Sequence, residues 1–153
     1  MKDLELLMNT LAIASFGAVY GALWAAHQVG DHWVQSHHQS QAKAESGWSG
    51  RLHCIAHVVT YTATALAALL ALVFVVGLPL SVPFTVAGLV FSAVTHYFAD
   101  RRAPLLWLAR ATGHGEFTEV KGGGINGPYL LDQSFHAGCL FVASVLIAAG
   151  ANV

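Results

Sequence analysis

Four pairs of residues in this chain stand four positions apart and are built only from histidine and aspartate: His27 with Asp31, His53 with His57, His96 with Asp100, and Asp132 with His136. On an α-helix that spacing stacks both side chains on one face. A shuffled chain with this one's nine histidines and its few aspartates gives roughly one such pair. Imidazole and carboxylate without thiolate suit zinc, iron, manganese or nickel, and eight donors are enough for one or two divalent ions, zinc foremost. Catalytic sites keep about three protein ligands per ion and leave a position for water, so some of the eight are expected to orient the others. Two histidines at i and i+4 chelate one ion from a single helix, which singles out His53 with His57 as direct ligands. The aspartates of the other helices then balance a divalent charge in a low-dielectric interior. A seam of interhelical hydrogen bonds is the competing reading, and bis-histidine haem a third, although haem leaves the aspartates unused.

The elements that must carry these pairs are membrane helices. The chain has 153 residues, of which 56% are hydrophobic and 10% charged, and its mean hydropathy is +0.58. An ordinary soluble globule has about 25% charged residues. Net charge is −1 without a basic stripe, which excludes nucleic acid as a partner. Four segments reach the ~20 apolar residues needed to cross ~30 Å of hydrocarbon, at about 4–29, 52–76, 84–102 and 129–149. The fold class is therefore an all-α, four-helix transmembrane bundle, a single transmembrane domain over 1–153. The first segment lacks a small-residue cleavage site and is expected to stay attached, continuing as a polar helix through Gln35. Cys54 and Cys139 read as two small buried thiols.

The connections set the orientation. Lys43, Arg51, Arg101, Arg102, Arg110 and Lys121 lie in the two long ones, and only Lys2 lies on the other side. The positive-inside rule puts the long connections in the cytoplasm and both termini outside. The four pairs end helices one and three and begin helices two and four, so all of them belong at the cytoplasmic end. His96 and His136 lie roughly 20 Å from the outer side at 1.5 Å per residue, a depth where ionisable groups face a bundle interior and mark function. Residues 103–110 (APLLWLAR) have the pattern of a short amphipathic helix lying along the headgroups. Residues 121–127 (KGGGING) read as a flexible return, with no phosphate-loop signature.

Around the pairs, Gln35 continues the stripe of His27 and Asp31, and Tyr61 that of His53 and His57, as a buried aromatic with a bonded hydroxyl. His32, His37, His38 and His114 fall off the stripes and read as solvated. Lys43, Arg101 and Arg102 stand where they could clamp an anion or meet lipid headgroups. The enzyme reading is a metal-dependent hydrolase acting on a phosphorylated or lipid-like substrate, or a peptide bond, at the cytoplasmic face of the bilayer. The metal activates water, Asp31 or Asp100 takes its proton, and Arg101 or Arg102 holds the substrate. A non-haem iron oxidoreductase uses the same ligands. The non-catalytic alternative is a metal or proton sensor or accessory membrane protein. Transport is disfavoured, because 66–76, 84–94 and 139–149 hold no charge. A homo-oligomer is compatible with all of these readings.

The order HxxxDxxxQ (His27, Asp31, Gln35), HxxxH (His53, His57), HxxxD (His96, Asp100) and LDQxxH (Leu131, Asp132, Gln133, His136) resembles a family of small four-helix bacterial and phage membrane proteins catalogued as a domain of unknown function. More distantly it is similar to the predicted membrane-bound metal-dependent hydrolases. The resemblance runs from about Leu23 to Leu140. It implies a four-helix protein of the bacterial inner membrane, or one encoded by a phage, and, through the more distant likeness, hydrolysis.

Overall fold

The computed structural model describes residues 1–152. Four of its helices are long and apolar enough to cross a membrane, over Glu5–Val34, Gly47–Val76, Val82–Asp100 and Gly127–Ala149. Helix α1 (Lys2–Val29) has Asp3 and Glu5 in its first turn, where carboxylates favour the helix dipole. It runs into a π turn at Gly30–Val34, closed by the Gln35 N–H donating to the Gly30 carbonyl at 2.9 Å. Helicity stops there. Gln35 has extended backbone (φ −62°, ψ 125°), so the polar helix expected through Gln35 ends one residue short.

A short helix α2 (His37–Ala42) comes next, opened by a capping box. The Ser36 hydroxyl accepts from the Gln39 N–H, and the Gln39 side chain accepts from the Ser36 N–H. Apolar periodicity gives no sign of this helix; its signal is the S-x-x-Q at 36–39. Helix α3 (Gly47–Ala71) begins before the expected Leu52 and ends in a π turn (Leu72–Val76) stopped by Gly77 in the left-handed region. Helix α4 (Val82–Asp100) carries Pro83 in its first turn.

The junction to α5 (Ala103–Ala111) is sharp. The Ala103 N–H donates to the Arg101 carbonyl at 2.6 Å, closing a γ-turn centred on Arg102, whose φ of 54° and ψ of −52° fall in a region L-residues seldom adopt. Helix α5 has the amphipathic character expected of it: Leu105 and Ala109 are buried and Trp107 is exposed. The glycine-rich return forms a short hairpin. Strand β1 (Lys121–Gly122) pairs antiparallel with β2 (Ile125–Asn126), and Gly123 and Gly124, both with positive φ, supply the two-residue turn. Helix α6 (Gly127–Ala149) starts with Pro128 in its first turn and the Asn126 side chain accepting from the Tyr129 N–H.

The bundle interior has two halves. Val19, Leu23, Ala65, Leu69, Leu140 and Ile147 fill the half away from the long connections. His27, His57, His96, Asp100 and His136 fill the other. Outside, Ile13, Phe74, Val75, Val86 and Phe141 are exposed, the reverse of a water-soluble protein. Both cysteines are free, Cys54 buried and Cys139 half-buried.

Helices α4 and α6 close on each other at Gly88, where a Cβ would stand 2.5 Å from Ile147 Cγ1 and 2.9 Å from the Ala143 carbonyl oxygen. We expect Gly88→Ala to lower stability by about 1–3 kcal/mol by forcing these helices apart. Unfolding in a denaturing detergent titration checks this, and an unchanged midpoint would show that the helix contact yields freely.

Candidate metal centre

Four donor atoms from three helical segments converge at the long-connection end. Asp31 comes from the π turn of α1, His57 from α3, and His96 and Asp100 from successive turns of α4. His57 Nε2 lies 3.0 Å from His96 Nε2, 3.4 Å from Asp31 Oδ1 and 3.3 Å from Asp100 Oδ2. His96 Nε2 lies 3.5 Å from Asp31 Oδ1 and 3.3 Å from Asp100 Oδ2. Asp31, His57 and His96 form one three-donor group close enough to share an ion, and contacts of 3.0–3.5 Å among them suit an ion about 2.0 Å from each, the bond length zinc makes to imidazole nitrogen and carboxylate oxygen. That three-donor set fits a divalent ion in spacing and chemistry and leaves a fourth position free of a protein ligand, with Asp100 Oδ2 beside both imidazoles.

The carboxylates also have the second contacts that metal ligands use to fix their orientation. Asp100 turns its other oxygen, Oδ1, to the Lys43 ammonium at 2.7 Å, in a buried ion pair. Asp31 turns Oδ2 toward His27 Nδ1 at 3.5 Å. Tyr61 stacks on the His96 ring at 3.9 Å, and its hydroxyl is bonded to Ser92 Oγ at 2.7 Å, as expected of a buried tyrosine.

A group of imidazoles adjoins this set. His27, His96 and His136 each offer a nitrogen close enough to share an ion, as do the donors of Asp100, Asp132 and His136. Seven of the eight expected ligands therefore sit within one connected cluster. Both ring nitrogens of His27, Nε2 of His136, and the inward oxygens of Asp31 and Asp100 are buried with no hydrogen-bond partner in the protein. Each such group costs about 1–3 kcal/mol if left unmatched, so the cluster calls for a cation or protons to complete it.

The eighth residue stands apart. His53 Nε2 faces His38 Nε2 at 3.2 Å, near the surface, and is in none of the donor groups. This corrects the expected His53–His57 chelate. One helical turn separates the two residues by about 6 Å along α3. At the level of His57 the neighbours are α1 and α4; at the level of His53 the neighbour is α2.

The basic residues also divide. Arg101 Nη1 and Nη2 donate to the carbonyls of Lys43 at 2.6 Å and Glu45 at 2.7 Å, bracing the turn that brings Lys43 to Asp100. Gly50 makes room for that turn, since a Cβ there would collide with the Glu45 carbonyl. Arg102 instead lines a cavity of about 570 Å³ that reaches Asp31, Asp100 and Asp132 and is also lined by Lys43, Lys121 and Gln35. Gln35 arrives there because the π turn redirects the backbone immediately after Val34, not as the next residue of a helical stripe. The expected solvated histidines His32, His37, His38 and His114 are all exposed.

Sequence reading missed Lys43 as a buried partner of a ligand. The available signal was its rarity: seven lysines and arginines in 153 residues leave few without a role. It named Gln133 in LDQxxH but gave it no role; its Nε2 donates to Asp132 Oδ2 at 3.1 Å.

Neither a curated protein nor a solved structure matches the chain. A family model does match it, over residues 19–153, which takes in the later part of α1, the three other long helices and every residue of the cluster. The chain belongs to the family described as Protein of unknown function (DUF3307).

Proposed function

We propose that the protein is a membrane-embedded, metal-dependent hydrolase working at the cytoplasmic end of its bundle. The observation that carries this is the three-donor set of Asp31, His57 and His96, at 3.0–3.5 Å spacing, beside an open cavity. The side is argued from charge: six of the seven lysines and arginines lie on the long connections or at the helix ends that join them, Arg51 in the opening turns of α3. Trp33, Trp48 and Trp107 are exposed at the same end, the arrangement of an interfacial aromatic belt. On this reading the bilayer is that of the bacterial inner membrane, with both termini outside the cytoplasm.

A divalent ion in the donor set, zinc foremost, supplies Lewis acidity and brings the pKa of a water toward about 7. The residues of the chain do the rest. Asp31 holds the ion through its inward oxygen and Asp100 is paired with Lys43, which leaves the role of proton acceptor to Asp132. Asp132 lines the cavity, is oriented by Gln133, and has Oδ1 3.7 Å from His136 Nε2, so a proton can pass on to that imidazole. Arg102 faces the substrate, and Arg101 holds the Lys43 turn in place.

Elemental analysis of protein purified without chelator tests the centre, and X-ray absorption tests for three protein donors and a water oxygen at about 2.0 Å. We expect one ion per chain; two would assign His27, His96 and His136 to a second. Hydrolysis of chromogenic esters and phosphoesters should vanish on chelation, and in Asp132→Asn it should vanish with the metal retained. Metal retained with no hydrolysis of any ester favours the second reading, a structural or sensory site in which Asp100 closes on the ion as a fourth protein donor, the habit of structural zinc. Redox-active iron in the analysis would favour an oxidoreductase on the same ligands.

A further inference from the structure

The cavity beside the donor set is lined by charges of both signs. Asp31, Asp100 and Asp132 bring three carboxylates, and Lys43, Arg102 and Lys121 bring three cations from three separate segments: the end of α2, the γ-turn before α5, and β1. The carboxylates lie toward the metal centre. Once a divalent ion is counted with them, the walls carry a surplus of two positive charges. At the edge of a low-dielectric bundle that surplus calls for an anion.

Among the described residues neither Arg102 nor Lys121 has an ion pair or side-chain hydrogen bond to occupy it, whereas Lys43 is held on Asp100 and Arg110 lies 3.7 Å from Glu119. Arg102 is also the one non-glycine residue with positive φ among the described residues. Backbone strain of that kind persists where the surroundings over-determine it and concentrates at ligand sites. Leu105, Leu106 and Pro128 add an apolar wall, and Trp107, beside Leu106, is exposed at the level of the aromatic belt.

We propose that this cavity binds a phosphate group, with Arg102 and Lys121 as its free cations and the metal centre at its base. The proposal rests on the metal-centre reading above and names the substrate class for it. A guanidinium and an ammonium from different segments, beside a divalent ion, are the donors that recur around phosphate oxygens. The phosphate belongs either to a lipid headgroup or to a soluble compound, and the two sources separate by experiment.

The test uses the full chain in maltoside micelles, which hold no phosphate, with zinc content measured on every sample. Inorganic phosphate and dihexanoyl phosphatidic acid are titrated calorimetrically. The parent is expected to bind at least one of them, and Arg102→Gly with Lys121→Ala to weaken that binding by about tenfold or more at unchanged zinc content. Arg102→Gly alone should melt at or above the parent temperature, because glycine adopts positive φ without strain. A merely structural Arg102 would give the same melting behaviour with no loss of binding. Arg51→Ala is the control for general charge loss, since Arg51 lies over Trp48 and does not line the cavity; it should bind as the parent does. A preference for phosphatidic acid of about tenfold or more assigns the site to lipid headgroups, and equal binding assigns it to soluble phosphates. Zinc bound without binding of either probe overturns the phosphate site and leaves the metal centre standing, as does a double variant that binds like the parent. A parent that holds neither zinc nor phosphate overturns both.

Discussion

His57→Ala is expected to purify with about a tenth or less of the parent's metal and to melt about 5 °C lower or more, while His53→Ala keeps both at the parent's values. The two substitutions are chemically identical and one helical turn apart. His57 Nε2 stands within 3.0–3.4 Å of three other donor atoms, so its removal takes away one of the three ligands of the ion. The binding energy of the ion is released only by the folded bundle, and metal and stability should therefore fall together. His53 meets His38 alone, a contact between partly exposed rings whose loss leaves the centre intact. Elemental analysis and thermal unfolding of the two variants decide the matter. Equal metal occupancy in His57→Ala and the parent would return the histidine–aspartate pairs to a hydrogen-bonded seam.

The second large effect is expected at Lys43. Its ammonium is the buried partner of Asp100 Oδ1 at 2.7 Å, and removing one member of a buried pair leaves the other uncompensated, at a cost of about 3 kcal/mol or more. Lys43→Met keeps most of the side-chain volume and removes only the charge. We expect it to destabilise the metal-free protein by about that amount and the zinc-loaded protein by clearly less, because the ion itself balances the Asp100 carboxylate. Unfolding titrations with zinc and with chelator measure both losses. Equal loss in the two states would show that Lys43 acts through the packing of its stem and not through its charge. Arg101→Ala should shift stability in the same direction by about 1–2 kcal/mol, since it frees the carbonyls of Lys43 and Glu45. The double variant should lose less than the two single losses together, because both residues support one contact.

Legibility in the sequence depends on how far each constraint reaches along the chain. Membrane spans are set by composition over some twenty residues, and all four long helices lie where the apolar runs are. Stacking at i and i+4 is a property of a single helix, which is why His27 with Asp31, His96 with Asp100 and Asp132 with His136 entered the cluster as pairs. The amphipathic α5 is local in the same sense. The hairpin at 121–126 was legible in principle, since adjacent glycines suit a two-residue turn, but a run of glycines reads equally as a flexible linker until its flanking backbone pairs.

What the sequence could not hold is the rotation of each helix about its axis and the identity of its neighbours. Spacing places His53 and His57 about 40° apart on α3; only packing decides that α2 covers one and that α1 and α4 surround the other. The same limit separates Arg101 from Arg102. Adjacent in sequence and alike in charge, they part at a γ-turn, one bonded to the backbone of the Lys43 turn and the other on the cavity wall. The chain by itself determined that four apolar helices carry histidines and aspartates at one end. The tertiary structure alone chose which atoms of those residues face one another, because side-chain convergence depends on contacts between helices far apart in sequence, such as the approach of α4 to α6 at Gly88, and no local period encodes them.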